Sequence, residues 1–104
     1  MANSSIEKIV VSLRNPADDI LKQQIEMLRE RHGADIITTK DADDAAGMID
    51  SVLDGGMDAS GILVISDDVS VLSYAERNGI KTNNPDSMRA SYMKAMEMLK
   101  SFRP

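Results

Sequence analysis

Two neighbouring carboxylates stand at the end of an uninterrupted apolar run, Ile62-Leu63-Val64-Ile65-Ser66-Asp67-Asp68. A second acidic group, Asp41, Asp43 and Asp44, follows Lys40 behind a shorter β-branched stretch. Carboxylates from two such places offer the oxygen ligands that a hard cation such as Mg²⁺ or Mn²⁺ takes, with Asp67, Asp68 and Asp44 the candidate ligands and Asp43 a further catalytic candidate. A cation held there could activate water against a phosphodiester. The same residues have a simpler use. Asp and Asn are preferred at helix N-caps and first turns, where a cap contributes about 0.5–2 kcal/mol with no ligand at all. Asp67 and Asp68 ask for more than this, because one cap does not need two adjacent carboxylates; a metal, or the Arg14 guanidinium, would relieve their repulsion.

Which of these groups can meet depends on the elements that carry them. The run from Ile62 to Ile65 has no polar face, the pattern of a central strand in a parallel sheet covered on both sides. Ile6 to Leu13 reads as the first strand. Asn15-Pro16 then predicts a helix start, Asn as cap, Pro at the first helical position and Asp18 and Asp19 in the first turn, with Ala17, Leu21, Ile25 and Leu28 as the apolar stripe. Arg29, Arg31 and His32 suit its C-terminus, and Gly33 closes it. Asp35 to Thr39 is a second strand. Asp41 caps a second helix whose inner face is Ala45, Met48, Ile49, Val52 and Leu53, and Gly55-Gly56 ends it. A third helix follows Asp68, with Val71, Leu72 and Ala75 inward, and stops at Arg77-Asn78-Gly79. Glu30-Arg31-His32-Gly33 and Glu76-Arg77-Asn78-Gly79 thus read as one helix-to-strand joint used twice. Ile80 to Thr82 is a short fourth strand. After Asn83-Asn84, a last helix runs from Pro85 to about Phe102, with Met88, Tyr92, Ala95, Met96, Leu99 and Phe102 as its stripe.

The order β-α-β-α-β-α-β-α in one domain over residues 1–104 predicts a three-layer α/β/α architecture, Rossmann-like, around a four-stranded, mostly parallel sheet, strand order 2-1-3-4. All strands then point one way, and their C-terminal ends share the rim where ligands of such sheets bind. That rim collects Arg14, Asn15, Lys40, Asp41, Ser66, Asn83 and Asn84 beside the acids.

Composition narrows the partners. The formal net charge of −5 makes duplex nucleic acid a poor ligand. With no Cys and one His, thiol chemistry and a structural zinc site are excluded. The absence of a long apolar run predicts no membrane span and a cytoplasmic protein. Arg14-Asn15-Pro16-Ala17 lacks the glycines that wrap a pyrophosphate, so neither a dinucleotide site nor a P-loop is expected. Of the eight Met residues, Met93 and Met98 fall off the last helix's stripe and mark a candidate surface for a protein partner or a second copy of the chain.

From Asp43 to Pro85 the chain resembles the later half of a PIN-like domain of the short, Mut7-C-related type. The resemblance rests on Asp43 and Asp44 opening a helix, on Ile62-Leu63-Val64-Ile65-Ser66-Asp67-Asp68, and on Ala75-Glu76-Arg77-Asn78-Gly79-Ile80. It implies acids gathered around a divalent metal and cleavage of RNA. Members of that family also carry an acid on or just after the first strand, where this chain has Ser12-Leu13-Arg14-Asn15 and no acid before Asp18. A receiver-like reading, with Asp67 as phosphoacceptor, lacks the acidic pair after strand one. Two functions remain: a non-catalytic or degenerate PIN-like interaction domain, and a metal-dependent phosphodiesterase or ribonuclease using Asp67, Asp68, Asp43 and Asp44.

Overall fold

The computed structural model describes residues 6–101. Strands β1 (Lys8–Ser12), β2 (Asp35–Thr38), β3 (Ile62–Ser66) and β4 (Lys81–Asn83) alternate with helices α1 (Asp19–His32), α2 (Ala42–Asp54), α3 (Val69–Arg77) and α4 (Pro85–Ser101). The sheet is parallel throughout, in the expected order β2-β1-β3-β4. β3 lies inside it, and all five of its residues are buried. Burial of each large apolar side chain there stabilises the fold by roughly 1.5–3 kcal/mol.

Alternation along the strands divides the core in two. Ile9, Val11, Leu63 and Ile65 point to one face and meet Leu21, Ile25 and Met88 of α1 and α4. Val10, Ile62 and Val64 point to the other and meet Ala45, Ile49, Val71 and Ala75 of α2 and α3. The sheet therefore separates two helical layers. The repeated joint is real: Gly33 and Gly79 both adopt the left-handed conformation, φ 64° and 74°. In each case the next residue's N–H reaches five residues back, Ala34 to the Arg29 carbonyl at 3.1 Å and Ile80 to the Ala75 carbonyl at 3.0 Å.

Several boundaries move. The first strand is shorter than Ile6 to Leu13, and the fourth starts one residue later than Ile80. The first helix begins at Asp19, and its cap is Asp18, which accepts the Leu21 N–H at 2.8 Å. Asn15 caps nothing, because its own N–H is drawn to Asp67. The C-terminal stripe is also only partly covered. Met88 is buried and Tyr92 half-buried, whereas Ala95, Met96 and Leu99 are exposed. A helix of 17 residues is roughly 25 Å long. Its principal neighbour is α1, and the sheet is reached only by the start of the helix, at Met88. The helix therefore outruns the surface it packs on. Phe102 lies outside the described residues.

Candidate functional site

The strand order changes direction between β1 and β3, and the crevice at their C-terminal ends is where ligands of such sheets bind. A hollow of about 350 Å³ opens there, lined by Asn15, Asp67, Leu72, Asn84, Asp86 and Arg89 among others. Asp67 leaves β3 directly into it, and its two carboxylate oxygens are both engaged. One accepts the Arg14 N–H at 2.7 Å, the other the Asn15 N–H at 3.1 Å. These are charge-assisted bonds to the loop after β1, so Asp67 fastens that loop to the end of the central strand.

Asp68 turns the opposite way. It caps α3, accepting the Ser70 N–H at 2.9 Å and the Ser70 hydroxyl at 2.7 Å. Those hydrogen bonds, chiefly the one from the hydroxyl, hold its carboxyl below the usual carboxylate range, and the Arg14 charge adds to the effect. Buried Ser66 supports the turn by accepting the Asp68 N–H at 3.0 Å. The two adjacent carboxylates are thus separated by function as well as direction, and the cation beside them is Arg14.

At the end of β2, Asp41 and Asp44 form a reciprocal cap. Asp41 accepts the Asp44 N–H at 2.8 Å, and Asp44 accepts the Lys40 N–H at 2.9 Å. Asp43 lies in a separate hollow between α2 and α3, near Ser70, Tyr74 and Arg77. Asn84 caps α4, accepting the Ser87 N–H at 2.8 Å, and Asn83 accepts the Asn84 N–H at 2.9 Å.

The structure brings Asn15, Asp67 and Asn84 to one crevice and leaves Asp41, Asp43 and Asp44 elsewhere. Among the described residues, no group of three or more His, Cys, Asp or Glu side chains is placed to hold a metal ion. As arranged, the acids do not fit the divalent cation that the resemblance implies: they are not gathered around one point, and both oxygens of Asp67 already accept N–H groups of the chain, so no chemical step is routed through it.

Three residues of the crevice region were missed by sequence reasoning. Arg89 pairs with Asp18 at 3.0 Å and with Asp86 at 3.6 Å, tying the starts of α1 and α4 together. The Asp86–Arg89 spacing of three was a usable signal, while the Asp18–Arg89 pair spans 71 positions and had none. The Leu21 N–H, and secondarily Arg89, hold the Asp18 carboxyl below its ordinary value.

On the outer side of the same layer, a groove of about 530 Å³ runs between α1 and α4. Gln24 crosses its floor, donating to the Met88 carbonyl at 2.6 Å, while its side-chain oxygen is buried without a partner. Met93 and Met98 are exposed but do not line this groove; Met27, Met88 and Met96 do. No described helix is long and apolar enough to cross a membrane. Comparison with protein-family models, with curated proteins and with solved structures finds no match for the chain.

Proposed function

We propose that this chain is a non-catalytic α/β interaction domain, PIN-like in its order of elements, that works in the cytoplasm by binding a protein partner through its C-terminal helix. One observation carries the reading. Asp67, the acid best placed for chemistry, has both oxygens on the backbone of the β1–α1 loop. Asp68, Asp41 and Asp44 are likewise helix caps. The site that would make a phosphodiesterase is instead the fastening of the fold, and the uncovered apolar surface lies on α4.

The test is a thermal melt of the wild type and of Asp67→Asn, with and without millimolar Mg²⁺ or Mn²⁺. A ligand that binds the native state raises the midpoint by mass action. The metal should shift neither protein. Asp67→Asn should itself lower stability by about 1–2 kcal/mol, since an amide nitrogen replaces one acceptor facing an N–H. A metal-dependent rise in the wild type that disappears in Asp67→Asn would restore the metal-dependent ribonuclease and sink this reading.

A further inference from the structure

The chain has no cysteine, so its oxidisable sulfur is all thioether, and the fold sorts those thioethers by layer. Of the seven methionines among the described residues, Met27 of α1 and Met93, Met96 and Met98 of α4 are between 41% and 59% exposed. Met88, on the same helix as three of them, is only 3% exposed. Met48 and Met57 are half-buried against the core of the α2/α3 layer. The exposed methionines therefore all lie on the α1/α4 layer, and none of the four belongs to either core cluster.

Their placement decides what oxidation changes. Met27 and Met96 line the groove between α1 and α4. At 100° per residue, Met93 and Met98 stand on either side of the stripe that runs through Met88, Tyr92, Met96 and Leu99. A two-electron oxidant such as hydrogen peroxide needs only access to a sulfur lone pair. The sulfur attacks one peroxide oxygen, and the S–O bond forms as the O–O bond breaks. The departing hydroxide takes the proton left on the transferred oxygen and becomes water. Sulfur is oxidised to sulfoxide, peroxide is reduced, and a polar group stands where an apolar thioether stood.

Four such exchanges turn the groove walls and the outer surface of α4 polar without touching the core. Met88, which joins α4 to the core, is reached only through local opening. Resting on the interaction-domain reading above, we infer that Met27, Met93, Met96 and Met98 form a redox-responsive modification site. Peroxide converts them to sulfoxides, strips the α1/α4 face of its apolar character and leaves the fold intact. Enzymatic reduction of the sulfoxides restores the thioethers, so the change is reversible.

The test exposes the full chain to hydrogen peroxide and follows each methionine by peptide mass spectrometry. Met27, Met93, Met96 and Met98 should oxidise at least about tenfold faster than Met88. Retention on a hydrophobic-interaction column should fall once the four are oxidised and recover after treatment with methionine sulfoxide reductases. The circular dichroism spectrum should stay unchanged throughout. The combined variant Met27→Leu, Met93→Leu, Met96→Leu and Met98→Leu keeps Met1, Met48, Met57 and Met88, and its retention should not respond to peroxide. Oxidation of Met88 as fast as the others, unchanged retention of the oxidised wild type, or loss of its helical spectrum would overturn the inference. So would a retention change that persists in the four-Leu variant. Any of these with a metal-independent melt refutes the redox site alone; a metal shift lost in Asp67→Asn refutes the reading beneath it.

Discussion

The two helical layers flank one sheet, yet they are finished differently. On the α2/α3 side, Ala45, Ile49, Val71 and Ala75 are buried, and Met48, Val52, Leu53 and Tyr74 pack around them. On the α1/α4 side the buried residues of the two helices are Leu21, Ile25, Pro85 and Met88. Ile20, Met27, Met93, Met96, Met98 and Leu99, six of the seven large hydrophobics exposed among the described residues, lie on these two helices. One layer closes the core, while the other closes it with the start of α4 and leaves the rest of that helix uncovered. The lesson is that a complete apolar stripe is evidence for a helix but not for its cover.

The largest effect that tests this contrast comes from paired truncations. Ile49→Ala removes a fully buried side chain and should cost about 2–5 kcal/mol in denaturant unfolding. Leu99→Ala, at a position 62% exposed, should stay within about 0.5 kcal/mol. Similar losses at the two sites would mean that α4 is covered after all.

A smaller effect separates the layers by acid. Asp18 fastens the α1/α4 layer and Asp68 the start of α3, and both have carboxyls held below their ordinary value of 3.8. A depressed carboxylate contributes stability that is present above that ordinary value and lost as pH falls through the lower folded one. Protection of α4 amides against hydrogen exchange should therefore decline below about pH 4, and Asp18→Asn should remove that dependence while leaving α2 unaffected. Acid sensitivity of α4 that survives in Asp18→Asn would place its fastening elsewhere.

The smallest effect concerns the floor of the groove. Replacing Gln24 by Met removes the buried, unpartnered oxygen along with the bond to the Met88 carbonyl. That carbonyl is interior to α4, so the exchange should be neutral or stabilising by about 1 kcal/mol in a thermal melt. A marked loss would make the Gln24 bond the main tether of α4.

The layered fold was legible because β3 is apolar up to its final Ser66 and because α2, α3 and α4 announce their caps, whereas the strand order, though expected as 2-1-3-4, was not fixed by the sequence. The start of α1 was not legible. Asn15-Pro16 has the local chemistry of a cap, but Asp67 claims the Asn15 N–H from 52 positions away, and the helix waits for Asp18. The same contact decides the candidate site, since nothing near Asp67 in sequence shows that its oxygens are already engaged. The stripe of α4 was legible as a period, while its exposure depends on how far its neighbours reach along it, and past Tyr92 they do not cover it. Local chemistry could be read from the chain; competition between distant groups for the same donor could not.

The pairing of β1 with β3 also orders events in time. Lys8 lies beside Ile62 and Ser12 beside Ser66, so paired residues of the two innermost strands are about half of the chain apart. During synthesis from the N-terminus, β1 emerges early and has only β2 to pair with until β3 is delivered. For that interval a strand of Ile9, Val10 and Val11 has one open side and only one helix of each layer over it, the stage at which such a strand is most open to mispairing. The Asp67 clasp on Arg14 and Asn15 can close only when that wait is over, which makes it a latch on the finished pair and not a guide to its assembly.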